Sequence, residues 1–149
     1  METLKRFSRL KMSEQLWLIC ALLYLTFVSV ALKRLPLRRT QRILARLSRL
    51  SPLSATSATL PLAIWAVRVA SPFVPGGGNC FVRALVLQTL LAHRLILTQL
   101  YVGFASTPEQ AKIEGHAWLE HGDRVLIGEI EDLTRFRANS QLYAFGKAC

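Results

Sequence analysis

Gly76-Gly77-Gly78-Asn79-Cys80-Phe81-Val82-Arg83-Ala84-Leu85-Val86-Leu87-Gln88-Thr89-Leu90-Leu91-Ala92 decides the fold of this chain. The three glycines and the asparagine read as a loop, and the apolar run from Phe81 to Ala92 reads as a buried helix that begins at Cys80. A cysteine in the first turn of a helix meets unpaired backbone N–H groups and the positive end of the helix dipole. Both favour the thiolate, which is the nucleophilic form of the side chain. Gly77, Gly78 and Asn79 would then line a cleft, because residues with little or no side chain let a substrate backbone come close. The backbone N–H of Cys80 is a candidate oxyanion donor.

Working outward, the pattern changes after the helix, which ends near Arg94. Residues 95–104 are rich in β-branched and aromatic side chains and have strand length. A polar loop follows over 106–114, and residues 115–120 and 125–130 form two further strand candidates around His121-Gly122-Asp123-Arg124, a hairpin signal. Helix first and antiparallel sheet second is an α+β plan, with the Cys80 helix packed on a small antiparallel sheet.

A thiolate needs a base, and the chain holds three histidines. His93 lies about 20 Å from Cys80 along the same helix, and His121 falls in the expected turn. His116, in Gly115-His116-Ala117-Trp118-Leu119-Glu120, sits in a strand that can cross the helix N-terminus, and Trp118 would stand beside it in the cleft. Cys80 and His116 are the minimum for acyl transfer through a thioester. If the hairpin turns on Gly122-Asp123, the strand pairs run from His121–Arg124 to His116–Glu129, so Glu129 is the favoured group to orient the imidazole. Asp123, Glu131 and Asp132 are the other candidates, since a different turn would send Glu129 to the opposite face. No metal-ligand spacing and no phosphate-loop ending occur, so no metal and no cofactor are expected.

The 149 residues allow one core with an appendage, and the charge is unevenly placed: residues 1–50 hold 11 Lys and Arg against 2 acidic residues, which accounts for +9 of the net +10. These shifts in charge and composition divide the chain into a helical basic and apolar arm over 1–50, a linker over 51–59 and a core over 60–149. Within the arm, residues 16–32 carry no charge and are just long enough for a membrane span, while basic residues flank them on both sides. Leu35-Pro36 breaks that helix. The next one places Leu37, Ile43, Leu44, Leu47 and Leu50 on one side and Arg38, Arg42, Arg46 and Arg49 on another. Such a basic face suits an acidic protein or peptide partner or an anionic membrane; no aromatic residue interleaves with the arginines, which argues against nucleic acid. A short helix is expected over 60–70. Cys20, Cys80 and Cys149 are odd in number and far apart, which argues for a reducing, cytoplasmic setting and against a disulfide framework. Cys20 reads as a core filler.

The combination of Gly76 to Leu85, Leu100-Tyr101-Val102-Gly103-Phe104, the Gly115 to Glu120 motif and Val125-Leu126-Ile127-Gly128 resembles the transglutaminase-like, papain-like leader peptidases of lasso-peptide biosynthesis. The likeness extends upstream through the apolar helix to Leu35-Pro36-Leu37-Arg38-Arg39. It implies a bacterial cysteine protease that removes the leader from a ribosomally made precursor peptide before a cyclase, a further candidate partner, closes the macrolactam. Cys80 matches the family nucleophile and His116 its base. The family acid lies about twelve positions after the histidine, where this chain has Gly128, with Glu129 next. Because the arm here is helical rather than a winged-helix recognition domain, the resemblance implies a separate leader-recognition protein. Two other outcomes are compatible with the sequence: amide crosslinking through the same thioester, or a non-catalytic scaffold held at a membrane through 16–32.

Overall fold

Leu35 is held extended by the proline that follows it, and its N–H returns to the Ala31 carbonyl at 2.7 Å, so the long apolar helix stops there and the chain turns. In the computed structural model, which describes residues 10–50, 55–76, 78–107 and 112–142, that helix is α1, Met12–Arg34. It is followed by α2 (Leu37–Leu50), α3 (Thr59–Ala70), a 3-10 turn (Ser71–Phe73) and α4 (Cys80–Ala92). Four strands complete the fold: β1 (Gln99–Thr107), β2 (Lys112–His121), β3 (Arg124–Ile127) and β4 (Arg137–Leu142), with a second 3-10 turn at Leu133–Arg135. They form one antiparallel sheet in the order β3-β2-β1-β4. This is the expected α+β plan with the Cys80 helix laid on a small antiparallel sheet.

Side chains alternate across the strands, so the sheet has two different faces. Leu100, Leu119, Leu126 and Ile127 join a large cluster with Val82, Leu85, Leu87 and Leu91 of α4 and with Ala63, Ala66 and Val67 of α3. The same cluster takes in Ala21, Leu25 and Val28 of α1 and Leu44 of α2. The inner faces of the arm are therefore part of the core rather than set apart from it; the first part of the expected linker, residues 51–54, lies outside the described residues. On the other face of the sheet Ala105, Trp118 and Phe136 make a small second cluster, with Tyr101, Val125, Ile130 and Leu133 against it.

Several boundaries differ from the sequence reading. Leu95 takes a left-handed backbone (φ 59°) in the turn after α4, so β1 begins at Gln99 rather than at residue 95. The strands run further into the expected 106–114 loop, to Thr107 and from Lys112. β4 was not expected: Arg137-Ala138-Asn139-Ser140-Gln141-Leu142 has no apolar alternation and pairs only because β1 offers it an edge. Cys20 is exposed, since it lies on the outer side of α1, away from Ala21, Leu25 and Val28. By length and composition α1 could cross a membrane.

Candidate active site

Cys80 is the first residue of α4 and half-buried. The preceding Asn79 is the helix N-cap: its Oδ1 accepts the Phe81 N–H at 2.9 Å, and its carbonyl accepts the Arg83 N–H at 3.0 Å. Asn79 thus acts in fixing where the helix starts. As the first N–H of the helix, that of Cys80 has no acceptor one turn back within it. The loop before it turns through Gly76 (φ +80°), and a side chain at Gly78 would meet nothing within 4 Å. Gly77 lies outside the described residues.

His116 stands in β2 opposite Gly103 of β1. Its imidazole lies nearly parallel to the Trp118 ring, 6.3 Å away, and is tilted against Phe136 at 5.4 Å. Gly103 is required for this packing: a Cβ there would come within 3.0 Å of both Trp118 and Phe136. Trp118 is buried, stacks on Tyr101 and donates its Nε1–H to Glu120 at 2.8 Å. It stands beside His116, and its burial makes it a wall behind the ring. Phe136 went unnoticed in the sequence because the segment around it has no strand periodicity.

The group that orients the imidazole is a backbone carbonyl. His116 Nε2 lies 2.7 Å from the Gly128 oxygen. A carbonyl only accepts, so Nε2 carries the proton and the lone pair of the neutral ring is on Nδ1. The expected partner, Glu129, is displaced by the register. His121 pairs with Arg124 and Glu120 with Val125 as foreseen, but a bulge then sets Ile127, not Leu126, opposite Leu119. The chain leaves β3 at Gly128 with φ +87°, and Glu129 is exposed, lining a groove of about 530 Å³ with Asp123, Arg124, Arg68 and Ile64. Glu131 and Asp132 are also exposed. At Gly128 a Cβ would lie 2.5 Å from the Ala117 carbonyl oxygen and 2.8 Å from the Trp118 Cα. No carboxylate can therefore stand at position 128 on this backbone.

The two chemical groups fall at the same end of the helix–sheet layer. Residues 93–98 turn the chain back from α4 into β1, and Gln88 Nε2 donates to the Thr98 carbonyl at 3.5 Å, which fixes their relative height. Cys80, eight positions before Gln88, is roughly 12 Å along the helix from that point. Gly103, the partner of His116, is roughly 16 Å along the strand from Thr98. His116 shares its sheet face with Trp118, whereas α4 covers the other face, and among the described residues no hydrogen bond joins Cys80 to His116. His93 is occupied elsewhere: its Nε2 takes part in a 2.6 Å hydrogen bond with the Tyr24 hydroxyl. His121 is exposed, its Nδ1 donating to the Leu97 carbonyl at 2.7 Å.

The sequence profile of the transglutaminase-like superfamily matches residues 21–141. The chain belongs to that superfamily. The match begins inside α1, so the transglutaminase-like domain includes most of the arm as well as the Cys80 helix and the sheet. Its fold is of the cysteine protease or acyltransferase type. No curated protein and no solved structure matches the chain.

Proposed function

We propose that this transglutaminase-like protein is a cysteine peptidase that removes the leader from a ribosomally made lasso-peptide precursor, acting with a separate leader-recognition protein and ahead of a macrolactam-forming cyclase. The observation that carries the reading is the 2.7 Å contact of His116 Nε2 with the Gly128 carbonyl, which leaves Nδ1 as the free base in a superfamily member whose helix opens on a cysteine. The choice of substrate rests on the likeness of the Cys80 and His116 motifs to those peptidases.

In the reaction, His116 Nδ1 takes the Cys80 thiol proton, a transfer that requires the imidazole, on the sheet face opposite α4, to reach the helix N-terminus past the end of the sheet. The thiolate attacks the last leader carbonyl, and the oxyanion is received by the Cys80 N–H. Collapse breaks the peptide bond; the core amine leaves with the proton from Nδ1, and the leader stays as a thioester. Water then gives its proton to Nδ1 and hydrolyses the thioester, releasing the leader carboxylate and the thiol. The Gly128 carbonyl holds the ring and accepts Nε2–H throughout. As a neutral acceptor it stabilises the imidazolium less than a carboxylate would, since charge-assisted hydrogen bonds are roughly twice as strong.

Arg38, Arg42, Arg46 and Arg49 are all exposed on α2 and form the surface we assign to the leader-recognition protein or the precursor. Changing them to Gln should weaken association in a pull-down. The decisive experiment incubates wild type and Cys80→Ala with precursor and recognition protein and weighs the products. Wild type should give separate leader and core, and Cys80→Ala should lose at least about 10³-fold of that rate. Cleavage that survives the substitution ends the proposal; a single heavier adduct means that an amine, not water, resolves the thioester.

A further inference from the structure

The outer face of α1 carries large apolar residues in the open: Met12, Leu16, Ile19, Leu23, Phe27 and Val30 are between 40% and 78% exposed. At about 100° per residue these six fall within an arc of about 80°, in one row about 27 Å long. Ala21, Leu25 and Val28 point the opposite way, into the core shared with α3 and α4. The helix is thus apolar on both sides for two reasons, and the outer one has no partner among the described residues.

We infer that this row lies in the interfacial layer of an anionic lipid membrane, with α1 parallel to the membrane plane. Three observations select that occupant. The inner half of the helix is built into the core, so a span would have to withdraw Leu25 and Val28 from it. The row is a convex ridge whose ends are cationic, with Lys11 exposed at the start and Lys33 and Arg34 exposed at the finish. The single carboxylate of α1, Glu14, accepts the Lys11 backbone N–H at 2.8 Å and projects to the core side of the row. Anionic lipid supplies acyl chains for the ridge and phosphates for both ends without needing a matching groove. A second copy fits poorly, because parallel or antiparallel pairing of the two ridges sets cation against cation at each end. The inference does not depend on the catalytic reading.

Flotation of the full chain with vesicles tests it. Wild type should float with phosphatidylcholine vesicles containing about 30 mol% phosphatidylglycerol and stay behind with phosphatidylcholine alone. About 0.5 M salt should reduce the bound fraction. Leu16→Gln, Leu23→Gln and Phe27→Gln together should lower partitioning at least about tenfold at an unchanged melting temperature, since all three side chains are outside the core. Lys33→Gln with Arg34→Gln should lower it less. Failure of wild type to float, or equal flotation of the triple variant, overturns the inference. So does retention after an alkaline carbonate wash, which would mean a span. A lipid-free dimer, or a complex with the recognition protein, that the triple variant loses would assign the row to that protein and overturn it equally.

Discussion

The two faces of the sheet are built to different ends. Against one, α4, α3 and α1 bury a continuous aliphatic core; against the other, Ala105, Trp118 and Phe136 form a small cluster whose two aromatic rings pack on His116. The first holds the fold and the second holds an imidazole. The comparison teaches that stability and ring placement rest on opposite sides of the same strands, so they can be perturbed one at a time.

Leu85→Ala should give the largest effect on the first side. Leu85 is fully buried in α4, and its truncation should cost about 2–5 kcal/mol in urea unfolding, with leader release per folded molecule unchanged. A matching loss of turnover would show that the two faces are not separable. Gly128→Ala attacks the second side. The added Cβ meets the Ala117 carbonyl oxygen, the backbone must move, and the carbonyl that orients His116 moves with it. Leader release should fall roughly 10²-fold, as expected for displacement of a reacting group by about 1 Å, alongside a stability loss of about 1–3 kcal/mol. Glu129→Gln sharpens the same point from the other direction. Because Glu129 is exposed and a carbonyl already occupies Nε2, turnover should change by less than about twofold; a loss near that of a triad acid would restore the carboxylate to the site.

The smallest effect is a pH dependence on the core side. Burial first, and the neighbouring Cys20 second, raise Tyr24 above its ordinary value near 10. The folded state therefore keeps the phenol proton longer than the unfolded chain. Stability from this group should be full below pH 10 and fall as pH rises from there through the raised value, a slope that Tyr24→Phe should remove from alkaline melting curves.

The side of the molecule that was legible is the one written in local chemistry. Asn79 before Cys80, the apolar run after it and the Gly122-Asp123 turn each specify their own structure, and the helix start and the hairpin fall where those residues put them. What escaped depended on contacts between segments. Alternation in Val125-Leu126-Ile127 cannot reveal a bulge that skips one residue, although the glycine that ends the run was its available signal. β4 has no pattern of its own. Composition marked residues 16–32 as apolar but could not separate the side that packs from the side that does not.

Because it is the Gly128 carbonyl, the group that orients His116 is hidden from any search among side chains. The acceptor that sets the histidine tautomer is encoded by the path of the main chain, not by a side chain, so an alanine scan of every acidic residue would pass over it. What heredity must protect there is an empty space: a hydrogen atom at the Gly128 Cα, without which the peptide could not turn its oxygen toward the ring. Replacing the amide between residues 128 and 129 by an ester, which weakens the oxygen as an acceptor and alters no side chain, would touch that encoding directly.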